Sequence, residues 1–203
     1  YTQRLSALCG DLALPSFGLS DERFRELGER IDLIIHNGAK VNWVQSYFDL
    51  RPANVLGTLE VLRLSQVGRC KPIHYVSTSA VTWQLYTPYF SQADDSGEFL
   101  EQVRQAAGAL LQQLDRGYRQ TKWAADELLL RARSRGFPVT LYRVPFVCGD
   151  SQTGVWNTKD FLSRMFKACI ELQAVPKQDA YVDTLPVDYV ADLIVDLALK
   201  AES

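Results

Sequence analysis

The sequence predicts an α/β protein built on a Rossmann-like, doubly wound parallel sheet. Two observations point there. Short apolar runs alternate with stretches of helical spacing, the rhythm of strand, crossover helix and parallel strand. The runs are apolar almost throughout, rather than at every second residue, as strands covered on both faces are. The chain has 203 residues, 47% apolar and 23% charged, the balance of an ordinary globular domain with a core of its own.

The elements follow in order. Leu5 to Leu12 is a short apolar stretch that stops at Gly10-Asp11, and Leu14 to Leu19, with Pro15 and Gly18, reads as a loop. Ser20 is a good N-cap, and Asp21 and Glu22 suit the first turn of a helix that places Phe24, Leu27 and Ile31 on one face. Residues 31–36 form a buried strand ending at Asn37-Gly38-Ala39. A helix is expected over 51–66, with Val55, Leu59, Leu62 and Gln66 as its inward stripe. Residues 72–77 are a second strand. Residues 82–98 read as a loop and 99–114 as a helix. A helix over 118–133, a strand over 138–144, a helix over 158–172, an extended piece at 183–187 and a helix over 190–201 complete the chain. There is no internal repeat and no low-complexity segment. In open sheets of this kind ligands bind beyond the carboxyl ends of the strands. Gly10-Asp11, residues 36–39, Ser77-Thr78-Ser79 and Arg143-Val144-Pro145 lie there.

Composition removes several functions. A net charge of −2 gives no field for nucleic acid or an anionic membrane. No apolar run approaches the ~20 residues of a membrane span, and Tyr1-Thr2-Gln3-Arg4-Leu5 is no signal peptide. With no initiator Met, the chain is expected to be a piece of a longer polypeptide. Cys9, Cys70, Cys148 and Cys169 are scattered, which suits reduced thiols in the cytoplasm rather than a disulfide frame. With only His36 and His74, no metal site is expected.

The chemistry is concentrated in Tyr118-Arg119-Gln120-Thr121-Lys122. Tyr and Lys four apart on a helix share a face. A phenol is a poor acid, with a reference pKa of about 10, and a nearby ammonium is expected to draw it down. The pair then exchanges a proton with a carbonyl oxygen. A hydroxyl from Thr78, with Ser79 as its substitute, completes the set from a strand end about forty residues upstream.

These residues have company. Gly10-Asp11-Leu12, the run from Ile34 to Trp43 containing His36-Asn37-Gly38-Ala39, Asn54-Val55-Leu56-Gly57-Thr58, His74-Tyr75-Val76-Ser77-Thr78, the 149–154 segment Gly-Asp-Ser-Gln-Thr-Gly and residues 185–191 all stand in one order. The chain resembles the extended short-chain dehydrogenase/reductase family. More closely it resembles the terminal thioester reductase domain of nonribosomal peptide and polyketide synthases, with relatives in aminoadipate and carboxylic acid reductases. The resemblance implies a catalytic set of Thr78, Tyr118 and Lys122, with Lys122 also on the nicotinamide ribose. It implies that Asp11 and Leu12 meet the adenine, that Asn37, Gly38 and Ala39 let backbone approach the cofactor, and that Val144, Pro145 and Phe146 lie beside the nicotinamide. It implies that Asn54 supports the lysine through water. The implied reaction is NADPH-dependent release, as an aldehyde or alcohol, of an acyl or peptidyl chain. That chain is tethered by phosphopantetheine to an upstream carrier domain, and the domain works as a monomer.

The sequence departs from this family at its start. The first strand and its Gly-rich turn are absent, so the sheet is expected to lack its first βα unit and the strands at its centre. Residues 1–150 then form a partial nucleotide-binding domain, and 151–203 the start of a substrate subdomain with a returning helix. Two other functions stay open: a nonreductive Dieckmann-type release domain, and a noncatalytic module that docks a carrier domain. An intact Tyr118 and Lys122 favour reduction over the first.

Several side chains have plain roles. His36 and His74 are expected as buried structural residues, Trp123 as core and Cys148 as an inert thiol. Trp43 is a candidate for an acyl pocket, and Trp83 and Trp156 are expected at the mouth of the site. Asp94, Asp95 and Glu98 read as a solvated loop, and Arg116 and Arg119 as exposed helix charges.

Overall fold

The computed structural model describes residues 4–81, 117–177 and 182–200. The expected loop 82–98 and helix 99–114, with Trp83, Asp94, Asp95, Glu98 and Arg116, lie outside the described residues. The chain divides into two compact units, Tyr1–Leu141 and Tyr142–Ser203.

In the first unit the Ser20 hydroxyl accepts the Arg23 N–H and opens α1 (Asp21–Arg30). Strand β1 (Ile34–His36) follows and pairs in parallel with β2 (Ile73–Thr78), Ile34 opposite Ile73 and His36 opposite Tyr75. With β3 (Val139–Val144) they form a sheet of order β1-β2-β3. Helix α4 (Gly117–Arg133) packs on β2. The core joins Val61, Leu62, Ile73, Tyr75, Ala125, Leu129, Ala132 and Val139.

The helix expected over 51–66 differs in start and in buried face. It begins as α2 (Tyr47–Arg51), because Ser46 and Asp49 exchange side chain-to-backbone bonds in a capping box. At Pro52–Leu56 it widens into a π turn, where the Gly57 N–H reaches the Pro52 carbonyl, and it continues as α3 (Gly57–Ser65). Its buried stripe is Asn54, Thr58, Val61, Leu62 and Ser65, while Leu59 is 41% exposed. Apolar periodicity missed this face because the Thr58 and Ser65 hydroxyls donate to the Asn54 and Leu62 carbonyls, both at 2.8 Å, and so travel inward as satisfied groups.

The loop expected at Leu14 to Leu19 is a tight turn in which Ser16 and Phe17 take left-handed backbone angles, φ 51° and 58°. Such angles cost roughly 1–2 kcal/mol per residue. The turn is held by the Glu60 carboxylate, which accepts the Ser16 N–H at 2.8 Å, and by the Phe17 carbonyl, which accepts the Asp11 N–H at 2.9 Å.

The second unit contains β4 (Phe146–Cys148), a strand beyond those expected, paired in parallel with β5 (Thr184–Pro186). Helix α5 (Phe161–Leu172) is capped by Asp160, and α6 (Val187–Lys200) packs on β4 and β5. The segment after β4 is closed by Asp150, whose carboxylate accepts the Thr153 N–H at 2.7 Å. Asp188 of α6 takes the Ser151 hydroxyl at 2.5 Å. Among the described residues no helix is long and apolar enough to cross a membrane.

Candidate active site

Helix α4 carries both members of the Tyr–Lys pair. Position 117 must be glycine: a Cβ on Gly117 would lie 2.3 Å from the Ser46 carbonyl carbon and 2.5 Å from the Tyr47 nitrogen. At Gly117 the helix therefore lies against the backbone that opens α2. The segment before α2 is shaped by Asn42, whose side-chain oxygen accepts the N–H groups of Val44 and Gln45 at 2.8 Å each. That turn brings the Trp43 ring to 5.8 Å from the Tyr118 ring.

Lys122 is 2% exposed. Its ammonium donates to the Tyr75 hydroxyl at 2.6 Å and to the Val76 carbonyl at 2.9 Å, both on β2. Burial pulls its pKa down to about 8, against the opposing pull of the Asp126 carboxylate. Tyr118 is half-buried, and burial pushes its hydroxyl up to about 12. This corrects the expected direction: desolvation governs the phenol, so Tyr118 stays protonated at neutral pH. Burial also raises Tyr75, which keeps it a neutral acceptor for Lys122.

Thr78 ends β2, half-buried, and its hydroxyl oxygen accepts the Ala80 N–H at 3.2 Å. Ser79 is in the short helical turn that follows. Arg119 is no exposed helix charge, because its Nε donates to the Ala80 carbonyl at 3.1 Å and ties α4 to that turn.

Asn54 is 2% exposed and clamps two segments. Its oxygen accepts the Lys40 N–H at 2.7 Å, and its amide donates to the Lys40 carbonyl and the Thr121 hydroxyl. The sequence indicated a helper of Lys122, and the direct partners of this side chain are Lys40 and Thr121. His36 is 5% exposed, meets the Thr58 hydroxyl at 3.1 Å, and is held neutral to about pH 4, first by burial and then by the Lys122 charge. His74 is equally buried, and Trp123 is half-buried.

The residues expected at the adenine converge with those expected to admit the cofactor backbone. Asp11 and Leu12 are fixed by the tight turn, and a Cβ on Gly38 would lie 2.7 Å from Leu12 Cδ1. Leu12 packing is thus itself a reason for glycine at 38. Asn37 is exposed and Ala39 half-buried on the loop after β1. Val144, at the end of β3, and Pro145, between β3 and β4, are half-buried, and Phe146 is 38% exposed. They belong to the second unit, as does Trp156, whose ring is 5.9 Å from Phe166 and whose indole N–H is buried without a partner among the described residues. Cys148 is half-buried, with a free thiol. Among the described residues no group of three or more His, Cys, Asp or Glu is placed to hold a metal.

Sequence reasoning gave no role to Tyr75 or Asp126, and placed Ser77 only at a strand end where ligands bind. Two signals were present. Tyr75 and Ser77 alternate on one face of a strand, and Asp126 stands one helical turn after Lys122.

A parallel sheet, a tyrosine and a buried lysine one turn apart, and a hydroxyl at a strand end are features of an NAD-binding fold of the short-chain dehydrogenase/reductase type. The chain belongs to the family described as Male sterility protein, an NAD-binding family whose model matches residues 1–194. It is 40% identical, over 98% of its length, to the L-2-aminoadipate reductase large subunit of Penicillium chrysogenum, and spans 14% of that protein. It is 37% identical, again over 98% of its length, to a linear gramicidin synthase of Brevibacillus parabrevis, of which it spans 4%. The crystal structure of the terminal R domain of the myxalamid PKS-NRPS pathway matches all of this chain with a TM-score of 0.82 and 39% identity. The chain spans 49% of that domain.

The family implies a dinucleotide, and the donor chemistry fits its ribose end. An ammonium has three N–H donors, and Tyr75 and Val76 engage two of those of Lys122.

Proposed function

We propose that this chain carries the reducing centre of an NADPH-dependent thioester reductase domain. Its substrate is an acyl or peptidyl thioester on the phosphopantetheine arm of an upstream carrier domain, and its product an aldehyde. The observation that carries this reading is the buried Lys122, fixed by Tyr75 and Val76 one helical turn from a Tyr118 that keeps its proton. Relatives that are reductases or synthases support it.

The Thr78 and Tyr118 hydroxyls hold the substrate carbonyl oxygen, with Ser79 as a further hydroxyl. Negative charge grows on that oxygen in the transition state, where such donors act most strongly. Tyr118 has a proton to give throughout the neutral range. NADPH supplies the reducing equivalent when bound. The carbon–sulfur bond then breaks, the arm leaves as a thiol, and an aldehyde remains. Lys122 takes the nicotinamide ribose. Asp11, Leu12, Asn37, Gly38 and Ala39 of the first unit line the rest of the nucleotide. Residues 1–150 are the nucleotide-binding part and 151–203 begin the substrate subdomain of a monomeric, cytoplasmic domain.

The test is NADPH consumption and aldehyde formation by the full-length protein with a carrier-bound thioester, beside Tyr118→Phe. Consumption that Tyr118→Phe abolishes supports the reading. No consumption by the parent protein, or an unimpaired Tyr118→Phe, overturns it.

A further inference from the structure

Tyr75 and Ser77 are two apart on β2, so both face α4. Each meets a charged side chain of that helix. The Tyr75 hydroxyl accepts from Lys122, and the Ser77 hydroxyl donates to the Asp126 carboxylate at 2.5 Å. Lys122 and Asp126 are one turn apart and only 2% and 3% exposed. A buried ammonium is costly without an opposite charge. The other titratable groups facing Lys122 are Tyr75, Tyr118 and His36, all neutral near pH 7. Among the described residues Asp126 is the anion in this set. A residue needed only as a hydrogen-bond anchor for Ser77 would serve equally well as asparagine, so the two roles are separable.

We propose that Asp126 is a positioning residue: its buried carboxylate is the counter-charge that keeps the Lys122 ammonium in the cradle of Tyr75 and Val76, while its bond to Ser77 ties that cradle to the strand end bearing Thr78. The proposal rests on the roles given above to Thr78, Tyr118 and Lys122, and its first readout does not depend on them.

That readout is the titration of Lys122 in the nucleotide-free full-length protein, followed by NMR at its Cε and identified with Lys122→Met. The expected midpoint is about 8 in the parent protein. Asp126→Asn keeps the shape and a hydrogen-bond acceptor for Ser77 but removes the charge. Its midpoint moves to lower pH by about one unit or more. The alkaline limb of kcat/KM moves with it. Ser77→Ala keeps the charge and leaves the midpoint near 8. An unmoved midpoint in Asp126→Asn overturns the proposal. If Asp126→Asn does not fold, the double variant Lys122→Met/Asp126→Asn decides. Its folding shows that the unpaired lysine was the fault, and its failure overturns the counter-charge. A parent protein that titrates as expected but consumes no NADPH refutes the reductase reading and leaves the Lys122–Asp126 pairing standing.

Discussion

Lys122 on α4 donates to the hydroxyl of Tyr75 on β2 at 2.6 Å, so the ammonium one helical turn along from Tyr118 is held by the sheet. Tyr75→Phe keeps the buried ring and removes the acceptor. A hydrogen bond to a charged group contributes about 1.5–3 kcal/mol. The variant is therefore expected to lose stability of that order, read by urea denaturation at pH 7. Because the charged form of Lys122 loses a partner, its titration also moves below 8. Unchanged stability with an unchanged midpoint would show that the Val76 carbonyl suffices.

Tyr118→Phe removes the proton donor and leaves the ring against Trp43. General acid catalysis by a placed side chain contributes typically ~10²–10⁴-fold. The rate of NADPH consumption should fall by that factor, while NADPH affinity, measured by titration calorimetry, stays within about twofold of the parent, an order-of-magnitude bound. A loss confined to affinity would place Tyr118 in binding rather than in proton transfer.

His36 gives the fold an acid limit. It is neutral in the folded chain to about pH 4, whereas the unfolded chain takes up its proton near 6.5. Between these values the unfolded state binds more protons, so stability rises with pH across the window. The contribution is complete above about 6.5 and is lost as pH falls toward 4. At ~1.36 kcal/mol per pH unit the loss reaches about 3 kcal/mol. His36→Gln should be less stable at pH 7 and show a shallower fall from 6.5 to 4 in parallel denaturation series. Equal slopes would assign the limit to carboxylates.

The sequence made the frame legible because it is written in apolar runs and caps. The Ser20 cap and the strands expected over 31–36 and 72–77 were readable from apolar runs and punctuation, and the structure forms them as Ile34–His36, with Ile35 exposed, and Ile73–Thr78. The face of α3 was hidden because Thr58 and Ser65 are polar by name and satisfied by backbone in fact. Strand β4 was hidden because it follows β3 after a single residue, Pro145, and so reads as a continuation of it. At the site, Tyr118 and Lys122 were visible from spacing. The direction of the Tyr118 shift was not, since spacing reports the neighbouring charge and says nothing of water exclusion. The bond between Ser77 and Asp126 was invisible for a related reason: a buried carboxylate looks like a surface residue until the helix is laid on the sheet.

Gly117 tests whether the close approach of α4 to α2 positions Tyr118. A methyl group there would meet backbone, the Ser46 carbonyl carbon at 2.3 Å, the Gln45 oxygen and the Tyr47 nitrogen at 2.5 Å, and none of these is the end of a flexible side chain. The contact can be relieved only by moving a helix. Overpacking of this kind costs typically ~1–3 kcal/mol. Helix propensity favours alanine over glycine by roughly 1 kcal/mol, which would stabilise the variant if the site were open. The sign of the change therefore separates the two situations. Gly117→Ala should lower the denaturation midpoint. It should also reduce NADPH consumption by more than its loss of stability accounts for, because Tyr118 is the next residue and moves with Gly117. A raised midpoint with full activity would mean that the α2 cap yields, and that Tyr118 is positioned by the sheet side alone.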